Sequence, residues 1–189
     1  MRALAMSLLA VVLGGCISYG YIEPTTGERA RVRFASDSQH MTRLRVYEGE
    51  DCAKEQSWMP LRAGNIYGNT PKRMGMPLWN FHEHGAREVY VTANQPIHGF
   101  LSAFWTMAIG PYSGFGSCGV PFTATFQSDK DYEVKYSWDG NKVCSVVVSE
   151  IAARATDEYY LRQIAQFSNR VIPKNAECGK KYQGAVSLF

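Results

Sequence analysis

The chain has 189 residues, of which 46% are apolar and 13% aromatic, enough for one domain with its own core and too many for a disordered polymer. The formal charge of +3 falls to near +2 once Arg2 is set aside with the leader. No basic stripe is interleaved with aromatic residues, so nucleic acid is not an expected partner.

The chain opens MRALAMSLLAVVLGGC. Arg2 supplies a positive start, and Ala3 to Leu13 is an apolar run of eleven residues. A membrane-spanning helix needs about 20, so a secretory signal at 1–15 is the better fit. Leu13-Gly14-Gly15-Cys16 resembles the lipobox of bacterial lipoproteins. That resemblance implies a diacylglyceryl group on the Cys16 thiol, cleavage before Cys16 and acylation of the new amine. Several acyl chains hold a protein stably, since each buried methylene contributes roughly 0.8 kcal/mol. Ile17, where an Asp would signal retention at the inner membrane, implies the outer membrane and its periplasmic face. Residues 16–29 read as the lipidated terminus and a polar tether, and 30–189 as a single β-rich domain.

Arg31-Val32-Arg33-Phe34 and Arg43-Leu44-Arg45-Val46-Tyr47 alternate charged and apolar residues, as half-buried strands do, and are expected to pair as a hairpin. With Arg29 they form the densest basic cluster; a solvated sheet face explains it, with an anionic lipid or polysaccharide as the other reading. Ser57 to Ala63 and Glu88 to Thr92 are further strands. Between them, 64–86 is broken by Gly64, Gly68, Pro71, Gly75, Pro77 and Gly85 and reads as a long loop. Residues 97–109 are almost continuously apolar and predict a buried strand, followed by a glycine-rich loop at 110–119.

The stretch 118–149 reads as a three-strand meander. Phe122, Ala124 and Phe126 alternate with threonines, Ser128-Asp129-Lys130 turns the chain, and Tyr132, Val134, Tyr136 and Trp138 form the second strand. Asp139-Gly140-Asn141 is a hairpin turn, because these residues tolerate positive φ, and Val143 to Val148 returns. Thr156-Asp157-Glu158 then resembles a helix N-cap, and Tyr160, Leu161, Ile164, Ala165 and Phe167 follow at helical spacing, predicting a helix over 157–168. A last strand at 185–189 is expected. The fold class is mainly β: an immunoglobulin- or transthyretin-like sandwich with one C-terminal helix.

Apart from Cys16 there are four cysteines, an even number that in an exported chain argues for two disulfides. Cys118–Cys144 is favoured because both flank the meander, with Cys52–Cys178 closing the long loop. Outer strands of a meander lie roughly 10 Å apart, whereas bridged Cα atoms lie within about 7 Å, so the pairing requires the middle strand to have ended at that level. No Cys-x-x-Cys supports zinc.

Chemistry-bearing patterns are sparse. His82-Glu83-His84 is the one metal-like cluster, and a site there needs His40 or His98 as a third ligand; solvation in a loop is the simpler account. His98 borders an apolar run and reads as a satisfied, partly buried histidine. There is no Gly-x-Ser-x-Gly, Ser113 and Ser117 have no suggestive base, and the pairs Glu48/Glu50 and Asp129/Asp131 sit at turns. Trp58, Tyr67, Trp79 and Phe81 form a candidate binding loop for a sugar or a protein, against the alternative of folding back onto the core. The sequence therefore favours a non-enzymatic envelope lipoprotein without cofactor. It would be attached to the membrane through Cys16 and would bind or scaffold an envelope protein or glycan. A lipid-anchored periplasmic hydrolase is the alternative. Lipoproteins of secretion machines with transthyretin-like sandwiches are similar in architecture only.

Overall fold

A computed structural model describes residues 21–48, 54–62, 73–78, 85–109, 112–140, 143–154 and 158–169. Among them are nine strands and no helix: β1 Arg29–Ser36, β2 Met41–Glu48, β3 Lys54–Arg62, β4 Ala86–Thr92, β5 Pro96–Ile109, β6 Tyr112–Thr125, β7 Asp131–Trp138, β8 Cys144–Ala153 and β9 Tyr159–Ser168. They form a five-stranded sheet in the order β4-β1-β7-β8-β9 and a four-stranded sheet in the order β3-β2-β5-β6. The sheets face one another, β6 over β8 and β9 and β3 over β1 and β4. All pairings are antiparallel except β1 with β7.

Alternation along each strand builds the core. Val32 and Phe34, Leu44 and Val46, Val89 and Val91, Leu101 and Ala103, Val120 and Phe122, Val134 and Tyr136, and Val146 and Val148 all point into the same buried cluster. Phe34 and Phe122 meet across it with ring centroids 6.5 Å apart.

The two arginine-rich strands do not pair with each other. β1 and β2 lie in opposite sheets, because residues 37–40 carry the chain across the sandwich. Hydroxyls shape that crossing: Ser36 Oγ and Thr42 Oγ1 are 2.9 Å apart, Ser38 N donates to Ser36 Oγ at 3.2 Å, and His40 N donates to Ser38 Oγ at 3.1 Å. The expected meander is likewise divided. The turn at Ser128-Asp129 exists, with Asp129 at φ 59, but it hands the chain from one sheet to the other. Only the β7–β8 hairpin survives as expected, its turn held by Gly140 at φ 82 and by Asp139 N donating to Val143 O at 3.0 Å.

The stretch 112–119 is strand, not loop. Its glycines make room for rings across the β5–β6 ladder. Gly116 pairs with Trp105 and Gly99 with Phe122, and a Cβ at either glycine would come within 2.4 Å of that ring. The predicted helix is also strand. A bulge between Val148 and Ser149 inserts an extra residue in β9, so its period-two pattern is broken into spacing that imitates a helix. Phe167 and Ala165, opposite Val146 and Val148, are the packed residues.

Arg33 corrects the solvated-face reading. It points away from the core yet is fully buried, as are Glu88 and nearly Glu133, its register partners on β4 and β7. Its guanidinium donates to Glu88 Oε1 at 2.8 Å and Glu133 Oε2 at 3.4 Å, and to the carbonyls of Met76, Pro77 and Leu78 at 3.0, 2.6 and 3.1 Å. Glu88 Oε2 accepts from Met74 N and Met76 N. Residues 74–78 are thus strapped over the sheet by their own main chain. Beside this row, Arg31 grips Asp131 with two bonds of 2.6 and 2.7 Å.

Residues 21–28, read from sequence as tether, are held on the β4 edge. Tyr21 packs against the core, Tyr90 N donates to Glu23 Oε2 at 3.1 Å, and Ala93 N donates to Glu28 O at 3.0 Å.

Cys118 and Cys144 are bridged, with Cα atoms 6.1 Å apart. The bond runs between sheets, from β6 to β8, so no middle strand intervenes. Tyr136 Oη donates to Cys118 O at 2.9 Å beside it.

Three outcomes are expected. Arg33→Met should lower stability by about 3–5 kcal/mol in urea melts, because Glu88 and Glu133 lose their buried counter-charge. Cys144→Ala should cost about 3–4 kcal/mol through the freed loop. Burial, with the Glu23 charge adjacent, pushes the Tyr21 hydroxyl up to about 12, and burial raises Tyr136 as well. Both exceed the unfolded tyrosine value, so unfolded chains lose protons first. Stability should be fully present below about pH 10 and fall as pH rises through 12, read from denaturant midpoints.

Candidate interaction edge

β9 is the last strand of the five-stranded sheet, and no described strand pairs with its outer side. Its two halves differ. The C-terminal half is anchored: Phe167 lies 6.4 Å from Phe122 between ring centroids. Asn169 N donates to Cys144 O and Cys144 N to Asn169 Oδ1, both at 3.2 Å. Before the bulge, every side chain from Tyr159 to Ile164 is exposed. Among these, Tyr159 is 48% exposed, Leu161 45% and Ile164 53%.

This half carries one charge, and that charge is answered. Arg162 bonds to Glu150, which Lys130 approaches at 3.5 Å. Burial works against ionising Glu150, but the bond and charge of Arg162 and the charge of Lys130 outweigh it and lower its pKa. The hairpin leading into β9 closes through Arg154 N donating to Glu158 O at 2.6 Å.

A nearly neutral edge with apolar side chains, whose outer side no described strand pairs, invites an added strand: backbone bonds give affinity, and alternate side chains give selectivity. Phe115, 82% exposed, lies on β6, the edge strand on the same flank of the other sheet.

The residues singled out from sequence fall elsewhere. Trp58 belongs to strand β3, opposite Arg45, and not to a loop. Tyr67, Trp79, Phe81, His82, His84, Cys16, Cys52 and Cys178 lie outside the described residues. His98 is a satisfied histidine, its Nδ1 2.9 Å from Thr123 Oγ1. His40 instead packs on two indoles, 4.9 Å from Trp138 and 5.4 Å from Trp105, which stack on each other at 4.5 Å. Six residue steps along β5 take the chain from His98 to Phe104, the partner of Met41, so His40 and His98 stand about 20 Å apart. Among the described residues, no three metal-binding side chains converge. Ser113 and Ser117 lie within β6 rather than on a nucleophile-bearing turn, and Asp131 is occupied by Arg31.

No family model, curated protein or solved structure matches the chain. The reading of β9 therefore rests on its own geometry. One sequence signal pointed to it: Tyr159, Tyr160, Ile164 and Phe167 favour strands over helices.

Replacing Leu161 and Ile164 together by Lys should leave urea stability within about 0.5 kcal/mol, because both side chains already face water. A larger loss would mean that the edge is covered.

Proposed function

We propose that this protein is a lipid-anchored envelope protein with a transthyretin-like sandwich, which binds an extended segment of another envelope protein along β9. The observation that carries the binding reading is the β9 edge, with six successive exposed residues and one compensated charge. The anchor reading is supported by Leu13-Gly14-Gly15-Cys16 after its apolar run. Export into an oxidising compartment is supported by the Cys118–Cys144 bridge. The lipobox resemblance, with Ile17 rather than Asp after the cysteine, supports the outer membrane and its periplasmic face.

Strand order supports the transthyretin-like choice over the immunoglobulin one. The immunoglobulin pattern keeps its first two strands in one sheet. Here β1 and β2 lie in opposite sheets, each beside the fourth strand or the third, and β1 runs parallel to β7. Architecture alone does not select a partner; the chemistry of the edge does.

Cells fed labelled palmitate should yield labelled protein, and Cys16→Ser should abolish the label and leave an unprocessed precursor. A photo-crosslinking residue at Gln163 should form a discrete adduct with one envelope protein. The Leu161→Lys, Ile164→Lys variant should lose that adduct, while a crosslinker at Lys135 should never form it. An unlabelled wild type contradicts the anchor; equal adducts from Gln163 and Lys135 contradict the edge.

A further inference from the structure

We infer that the β4 edge, wrapped by residues 21–28, rests against the bilayer and turns the β9 edge away from it, an inference that rests on lipidation of Cys16. Four residues, 17–20, separate Cys16 from Tyr21. Tyr21 is the first described residue; it packs against the core, and two residues on Glu23 accepts from Tyr90 N. Five residue steps span at most about 18 Å. The acyl chains therefore enter the membrane within that distance of Tyr21. Across the sheet, β9 lies four strands from β4, about 19 Å at ordinary strand spacing, and a tether must also pass around the sandwich to reach it. With the β9 edge turned to the bilayer, Tyr21 would stand at or beyond the full reach of the linker.

Further bonds keep residues 21–28 from peeling away to lengthen the tether. Arg29 Nη1 donates to Pro24 O at 3.4 Å, Ala93 N to Glu28 O at 3.0 Å, and Asn94 Nδ2 to Glu28 Oε2. Arg29 is itself fixed over the Tyr90 ring, 4.4 Å from its centroid. Next to Tyr21 stands Ile22, 83% exposed, an apolar side chain at the end of the described chain nearest Cys16. It is placed to enter the interfacial layer. In this orientation Phe115, on the β6 edge that faces β9, and the apolar residues of β9 are turned away from the bilayer.

The test uses the full acylated protein in phosphatidylethanolamine–phosphatidylglycerol vesicles with brominated acyl chains. Ile22→Trp and Phe115→Trp are each compared with the parent, so that emission from the native tryptophans is subtracted. The added emission of Ile22→Trp should be largely lost on bromination and that of Phe115→Trp retained. Intact mass is read first. A chain without acyl mass overturns the lipoprotein reading and this inference with it. An acylated chain in which Ile22→Trp keeps its emission, or Phe115→Trp loses it, overturns the orientation alone.

Discussion

The bridge between Cys118 and Cys144 fixes how the two sheets lie on each other, and the corner around it organises the rest. Tyr136 bonds to the Cys118 carbonyl there, and Asn169 ends β9 by bonding to both main-chain groups of Cys144. The nearby end is closed by the Trp105–Trp138 stack with His40 against it. β9 is therefore pinned at one end. Its other half extends from that corner, held among the described residues by the β8 ladder and the Arg162–Glu150 pair, and such pre-organisation reduces the ordering cost when a strand is added.

The second organising device is ionic. Glu88, Arg33 and Glu133 form one row across three strands, and the strap at 74–78 is fastened to that row by main-chain bonds. Buried ion rows of this kind add little net stability over apolar replacements, but they penalise any arrangement that separates their members. Shifting β1 by one residue against either neighbour would point Arg33 into the core. Register is thereby specified at the one place where a parallel pairing joins the sheet.

Alternation and turn chemistry were enough to find most strands, because both are local. Tyr132 to Trp138 and the Asp139-Gly140 turn announced the β7–β8 hairpin, and the apolar run at 97–109 announced β5. The cysteine pair was legible by position, although the reason it closes, two facing sheets, was not. Pairing partners were hidden because a strand's composition does not say which neighbour it meets. Alternation showed that Arg33 leaves the core but not that residues 74–78 cover it. Gly116 resembled a loop residue because the ring it accommodates, Trp105, is its partner across the ladder. The bulge disguised β9 as a helix, so the candidate edge was concealed by a single inserted residue.

The parallel contact of β1 with β7 has a bearing on how the molecule comes into being. Arg31 and Asp131 are a hundred positions apart, so β1, the first of the described strands, must wait for one of the later ones. Such long-range closure slows folding relative to local hairpins. Until it occurs, the edge of β1 that β7 covers stays unsatisfied, and Val32 and Phe34 lack part of their packing.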